Sequence, residues 1–293
     1  MDISISVVIP TLNAANRLPV LLEAISEQTV GPVELIVVDS SSEDGTAELA
    51  ECFGAKVKSI SRSSFNHGLT RHEAFLESNG DIVCFLTDDA VPTSNRYLEE
   101  LIAPFQDSKV ALVSGRQLPK ADARRFEQLV REFNYPSESS VRTAADIPEL
   151  GIKAFFASDV CSAYRRSAYF ECGGFGKCST NEDMLMAARF INTGYKVAYA
   201  ADAQVFHSHN LTPRQQYRRN KAVGYFLATH KAELCDVEET GEGVRLAKTV
   251  AAKLIAERKL LELFTFGVDC VARLAGNRAG KKMAAREEGG NRR

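Results

Sequence analysis

Two adjacent carboxylates, Asp88 and Asp89, follow the apolar stretch Ile82-Val83-Cys84-Phe85-Leu86 with only Thr87 between. Two acids at the end of a buried strand repel each other and lose hydration, and a cation relieves both costs. Carboxylate oxygens suit a hard ion, Mg²⁺ or Mn²⁺, which also takes phosphate oxygens. The alternative is that both acids cap the next turn. Asp39 ends another apolar run. It can accept from a ribose hydroxyl or a base N–H, or close an Asx-turn over Ser40-Ser41-Ser42. Glu182 and Asp183 open a helical pattern, where the dipole stabilises acids and where a general base toward an acceptor hydroxyl could stand. Arg71, near the start of another helical pattern, can pair with a diphosphate or form a surface salt bridge. His207 and His209 alternate at a strand end. They should point to opposite sides, so at most one completes a metal sphere.

The elements that must hold these residues alternate in type. Strand patterns at Ser4–Ile9, Val33–Val38, Lys56–Ile60 and Asp81–Leu86 are separated by helical patterns at Leu18–Ser26, Thr46–Phe53 and Leu69–Glu77. This order predicts an α/β fold with a parallel sheet covered on both faces. Ligands bind such sheets at the carboxyl ends of the strands. Three of those ends carry polar side chains: Thr11 and Asn13, Asp39 and Ser41, Asp88 and Asp89. Farther on, helices are expected at 98–105, 123–133 and 182–192. Strands are expected at 110–114, 160–165, 197–200 and 203–206. Beyond Thr212 the pattern is helical, with one break near Asp236–Gly243, and Val244–Ala275 mixes apolar and basic residues. The Gly/Lys/Arg-rich tail is expected to be disordered.

Composition narrows the classes. The 293 residues are 45% hydrophobic and 25% charged, as suits one α/β domain with a helical appendage. No apolar run approaches the roughly 20 residues that span a bilayer. Seven isolated cysteines, with no Cys-x-x-Cys pair, argue against a disulfide framework and a structural zinc site. The first residues run straight into a strand pattern without a leader, so a cytoplasmic location is the expectation. The net charge of -2 conceals an asymmetry: from Asn210 onward 17 Lys+Arg stand against 10 Asp+Glu. That basic part points to an anionic surface, with the inner face of the cytoplasmic membrane first. Packing on the domain or on a second subunit, as a homodimer, stays open. P-loop, dinucleotide and nucleophile-elbow motifs are absent from the sequence, and its aromatics form no basic platform for nucleic acid.

Taken in order, these segments resemble glycosyltransferase family 2, whose GT-A fold has a Rossmann-like, mostly parallel central sheet flanked by helices. Val7-Val8-Ile9-Pro10-Thr11-Leu12-Asn13 is similar to the family's first strand. Val37-Val38-Asp39-Ser40-Ser41 is similar to its second strand and base-binding turn, and Thr87-Asp88-Asp89-Ala90 to its metal motif. Gly173-Gly174-Phe175 and Glu182-Asp183 resemble the acceptor-side turn and the catalytic acids. Phe65-Asn66-His67-Gly68, Gly115-Arg116-Gln117-Leu118-Pro119, Tyr135-Pro136 and His207-Ser208-His209 resemble blocks of bacterial rhamnosyltransferases within the family. His72 and Asp88 depart from that pattern, which has Asn and Gln there.

The resemblance implies a nucleotide-sugar donor, dTDP-rhamnose first, a glycan or lipid-linked acceptor in bacterial surface polysaccharide synthesis, a Mn²⁺ or Mg²⁺ cofactor and inversion at the anomeric carbon. It implies that Pro10, Thr11, Asn13, Asp39, Ser41, His67, Gly68, Arg71 and Asp88 serve the donor. Asp89, Asp88 and His207 would serve the metal, and Asp183 with Glu182 would serve catalysis. Gly173, Gly174, Phe175 and Arg116 would lie on the acceptor side. It further implies a catalytic domain over 1–210, made of a donor half 1–115 and an acceptor half 116–210. A helical region over 211–280 and a disordered tail over 281–293 would follow. A family member using a UDP- or GDP-sugar, a nucleotidyltransferase and a noncatalytic binding protein are the alternatives.

Overall fold

The structure is a computed structural model that describes residues 3–237 and 240–290. The first half alternates as its apolar runs require. Strands β1 (Ile5–Thr11), β2 (Glu34–Asp39), β3 (Lys56–Ser59) and β4 (Ile82–Leu86) are linked by helices α1 (Leu18–Ser26), α2 (Thr46–Cys52) and α3 (His67–Glu77). β1 pairs parallel to β2 and β4, and β2 parallel to β3. β4 is buried along its whole length because helices cover both faces. Its two faces feed separate cores, one under α1 with Leu18, Leu21 and Leu22, the other under α3 with Ala74 and Phe75.

The second half is mixed. After β5 (Val91–Pro92) and α4 (Tyr97–Ile102) come β6 (Val110–Leu118), α5 (Arg125–Asn134), β7 (Ser140–Arg142) and α6 (Ile147–Leu150). Then follow β8 (Cys161–Arg165), α7 (Arg166–Glu171), α8 (Glu182–Asn192) and β9 (Lys196–Phe206). The nine strands share one sheet in the order β3-β2-β1-β4-β8-β6-β9-β5, with β7 also on β9. β8 runs antiparallel to both β4 and β6, so β6 and, beside it, β9 return to the direction of β4. Six strands therefore share one direction, and β5, β7 and β8 oppose it. The sheet is mostly parallel, as expected. The separate strands expected at 197–200 and 203–206 are one strand. Register jumps between Gly115↔Ala200 and Arg116↔Gln204, so residues 201–203 bulge out and interrupt the alternation. A Cβ on Gly115 would stand 2.6 Å from the Ala203 carbonyl oxygen, so the bulge needs glycine opposite it.

The C-terminal third is three helices, α9 (Pro213–Thr229), α10 (Thr240–Ala256) and α11 (Leu260–Gly290). Thr212 and Gln215 form a capping box that starts α9. The helical stretch expected through Ala275 is broken at Arg258, whose φ of 58° is left-handed. The expectation of a disordered tail from 281 is corrected: residues 281–290 continue α11, while 291–293 lie outside the described residues. Composition hid the reason. Gly224, Gly276 and Gly280 bring α9 and α11 so close that a Cβ on any of them would meet partner backbone at 2.0–2.4 Å. Tyr225 also donates to Glu287 at 2.6 Å. α10 and α11 close a third core on α5, with Phe126, Leu129, Val250, Leu254 and Phe266. No described helix is long and apolar enough to cross a membrane.

Candidate active site

Strand direction gathers the chemistry at one edge. The carboxyl ends of β1, β2, β4, β6 and β9 meet there, and the reversed β8 brings its first residues to the same edge, with Leu86 opposite Cys161. Between β1 and β4 lies a cleft of about 410 Å³ lined by Pro10, Thr11, Leu12, Arg17, Ser40, Arg62, Phe65 and Asp88. Thr11 donates to Asp39 Oδ1 at 3.1 Å. The Asp39 carboxylate also accepts from Ser42, at 2.8 Å from its N–H and 2.5 Å from its hydroxyl. Asp39 therefore closes the Asx-turn and, from behind, holds Thr11, which lines the cleft. Asn13 and Ser41 both have positive φ, 47° and 55°. They tie loops together, Asn13 accepting from the Glu43 N–H and Ser41 donating to Ile60 O. Arg17, absent from the sequence expectations, pairs with Asp88 at 2.7 Å.

Asp88 and Asp89 diverge. Asp88 faces Arg17 and the cleft, whereas Asp89 faces Lys120 at 3.0 Å and accepts from Thr87 at 3.1 Å. β5 pairs Val91 with Phe206, which sets the chain after β9 beside Asp89. His207 Nε2 lies 3.5 Å from Asp89 Oδ1 and His209 Nε2 3.6 Å from Oδ2. The expectation that the two histidines point apart fails because both lie past the end of β9, where alternation no longer holds. Their ligand atoms and that of Asp89 fall within 4.8 Å of one another. His207 Nδ1 meets Gln117 Oε1 at 2.9 Å, an acceptor that assigns the proton to Nδ1 and leaves the Nε2 lone pair facing Asp89. Burial pushes the His207 imidazole down to about 3, so it is neutral and able to ligate. One carboxylate and two imidazoles fit a divalent ion such as Mn²⁺.

The acids that open α8 meet a different environment. Arg71 is buried and donates to Glu182 Oε1 at 2.7 Å, with its Nε 3.6 Å from Asp159 Oδ2. The guanidinium placed beside a diphosphate by the sequence analysis is instead inside an acid cluster, as a buried cation requires. Asp159, also unforeseen, accepts from Ser162 at 2.6 Å and Tyr164 at 2.7 Å. Burial, with Glu182 beside it, pushes its carboxyl up to about 6 despite Arg71. Asp183 is half-buried. It accepts from the backbone N–H groups of Met184 at 2.7 Å and Asp159 at 3.1 Å. Burial and then the charges of Glu182 and Asp159 push its carboxyl well above the ordinary carboxylate range.

Other expected positions also make contacts within the fold. His67 and Gly68 begin α3. Asn66 caps that helix and also accepts from Cys178 N at 3.1 Å, and a Cβ on Gly68 would overlap the Gly176 carbonyl oxygen. This block thus docks the donor half onto the loop before Glu182. His67 is exposed, and its Nδ1 stands 3.8 Å from Glu182. Gly173 and Gly174 take φ of 81° and 63° in a turn after α7. Phe175 is 4% exposed among Phe85, Tyr164 and Tyr169, so it packs the core and has no face for an acceptor. Arg116 donates to Tyr135 O at 3.2 Å and ties β6 to the end of α5.

The chain is similar to known proteins. Residues 6–173 match the family model described as Glycosyl transferase family 2. The chain is 43% identical to the O-antigen chain rhamnosyltransferase RfbN of Salmonella typhimurium, over 84% of this chain and 79% of that one. It is 42% identical to the O-antigen chain rhamnosyltransferase WbaN of Salmonella anatum over the same shares. Among solved structures it is similar to the mannosyltransferase PcManGT of Pyrobaculum calidifontis, in complex with GDP-Man and Mn²⁺. The TM-score is 0.67 at 18% identity, covering 96% of this chain and 87% of that one. S. aureus TarS 1-349 in complex with UDP-GlcNAc is similar at a TM-score of 0.56 and 14% identity, over 95% and 92% of the two chains.

Proposed function

The chain belongs to glycosyltransferase family 2 and has the GT-A fold, and from that premise we propose an inverting, metal-dependent rhamnosyltransferase of bacterial surface polysaccharide synthesis that uses dTDP-rhamnose. The observation that carries this reading is the convergence, at one sheet edge, of the cleft, the Asp89–His207–His209 set and Asp183. Pro10 and Thr11 face the nucleoside in the cleft, with Thr11 held from behind by Asp39. Arg17 and Asp88 line its wall. Asp89, His207 and His209 would hold Mn²⁺ or Mg²⁺. Bound there, such an ion would supply positive charge for the leaving diphosphate. Asp183 accepts the proton of an acceptor hydroxyl as that oxygen bonds the anomeric carbon from the side opposite the departing nucleoside diphosphate. A raised proton affinity suits that task. The acceptor is a glycan or a lipid-linked glycan.

A thermal-shift screen with Mn²⁺ separates dTDP-rhamnose from UDP- and GDP-sugars. Asp89→Ala should remove the Mn²⁺-dependent part of donor binding in calorimetry. Donor binding that is equally strong without metal in both proteins overturns the metal assignment, and release of pyrophosphate from a nucleoside triphosphate would favour a nucleotidyltransferase.

The partner surface is α11. Leu261, Phe264, Val268 and Val271 are 84%, 72%, 39% and 68% exposed at helical spacing, and exposed Arg278, Lys282 and Arg286 continue the same face. An apolar stripe followed by cations suits a helix lying on anionic lipid at the cytoplasmic face. Phe264→Glu with Val271→Glu should abolish flotation with phosphatidylglycerol vesicles. Undiminished flotation rejects that surface, and a change of mass in solution would assign the stripe to a homodimer instead.

A further inference from the structure

Which nitrogen of His207 carries the proton is decided by Gln117, and a side-chain amide is ambiguous by nature. Its oxygen and its NH₂ have nearly the same shape, so a half-turn exchanges an acceptor for a donor. With the oxygen toward His207 Nδ1, 2.9 Å away, the ring is held as the Nδ1–H tautomer and Nε2 keeps its lone pair. With the NH₂ there, Nδ1 would accept and the proton would sit on Nε2. The lone pair that faces Asp89 would then be lost.

Two of the amide's partners leave that choice open. The imidazole can donate or accept at Nδ1, and Ser158 Oγ, 2.8 Å from Gln117 Nε2, is a hydroxyl that does either. The third partner is Arg131, whose Nη1 donates to the same Gln117 Oε1. A guanidinium has donors and no acceptor. A turned amide would therefore set its own N–H groups against those of Arg131. Gln117 and Arg131 are both buried, so the lost bond would not be replaced by water.

Arg131 is itself held in place. Its Nε donates to Glu127 Oε1, one turn earlier on α5, at 3.3 Å, and its Cζ lies 5.7 Å from the Tyr135 ring centroid. Glu127 in turn lines one small cavity with Asp269 and Arg273 of α11. Phe126 and Leu129 pack the same helix onto Val250, Leu254 and Phe266. The C-terminal helices thus brace the helix that carries Arg131.

We propose that Arg131 is a positioning residue for the metal site: by admitting one orientation of the Gln117 amide, it selects the His207 tautomer that can ligate. The inference rests on the metal reading above, but the tautomer exists without the ion and is read apart from it.

The test uses the full chain with ¹⁵N-labelled histidine, free of metal, at about pH 8, where an ordinary imidazole is neutral. Long-range ¹⁵N–¹H correlation spectra report the tautomer of each of the five histidines, and His207 is identified by its loss in His207→Asn. Wild type should show His207 as Nδ1–H. In Arg131→Met, which can neither fix nor oppose the amide, Nε2–H signals should appear at His207. Mn²⁺ binding, followed by calorimetry, should weaken about tenfold. Arg131→Gln, whose amide donates or accepts, should give the same mixture and keeps a polar neighbour for Glu127 if the methionine variant does not fold. A His207 that stays Nδ1–H in the folded variants overturns the proposal even where Mn²⁺ binding weakens, because a merely structural Arg131 predicts that loss without a change of tautomer. An Nε2–H ring in wild type overturns it as well. A tautomer that shifts as expected in a protein that binds no Mn²⁺ supports the role of Arg131 and overturns the metal reading instead.

Discussion

Asp89 and Asp183 are the same side chain in opposite surroundings. Burial works against the charge of both. At Asp89 the Lys120 ammonium, 3.0 Å away, works the other way, and the carboxyl lies below its ordinary value. At Asp183 the nearest charges are Glu182 and Asp159, which add to burial and raise it. A carboxylate kept ionised among nitrogen donors is suited to a cation, and one that binds protons more tightly is suited to take a proton from a hydroxyl. Residue type is thus a weak guide to role, and the sign of the neighbouring charges is a stronger one.

The comparison breaks most sharply at Asp183→Asn. Transfer should fall by about 10³-fold with dTDP binding and melting temperature retained, and an activity above a tenth of wild type would remove Asp183 as the base. The acid cluster itself is read next, by pH. Asp159 lies at about 6 in the fold against an ordinary 3.8. Between those values the folded chain keeps a proton that the unfolded chain has released. Stability attributable to this group therefore falls as pH rises through that window, by up to about 3 kcal/mol, and is level above it. Urea unfolding across the window should show a shallower decline in Asp159→Asn than in wild type, with Asp183 supplying what remains. Parallel curves would assign the proton to another group. The smallest expected effect is at the other cluster. Gln117→Leu removes the partner of His207 Nδ1 and should weaken Mn²⁺ binding about tenfold. Unaltered affinity would mean that packing alone orients the ring.

The donor half was the more legible one. Its strands are apolar runs that stop at a polar residue, so both the elements and the acids at their ends could be read locally. Asp39, Asp88 and Asp89 all reach the expected edge. The second half resisted for particular reasons. Asp159 precedes β8, and only a reversed strand brings its beginning to the edge where the others end. Lys120 enters from the end of β6, 31 residues from Asp89. Arg71 looked available to a phosphate because its partner Glu182 is 111 residues away. The continued α11 was hidden in a glycine-rich stretch whose glycines are the contact surface of a helix pair.

By itself the sequence determined the alternation of elements, the acids at three parallel strand ends, and the family through the order of its motifs. Each depends on neighbours in the chain, or on spacing, and needs no partner from afar. Only the tertiary structure decided which carboxylate meets cations and which meets other carboxylates. That outcome follows from strand order and direction, with β8 reversed and β9 carrying both histidines past its end to Asp89. Local periodicity carries no information about either, and the resulting charge neighbours are what divide Asp89 from Asp183.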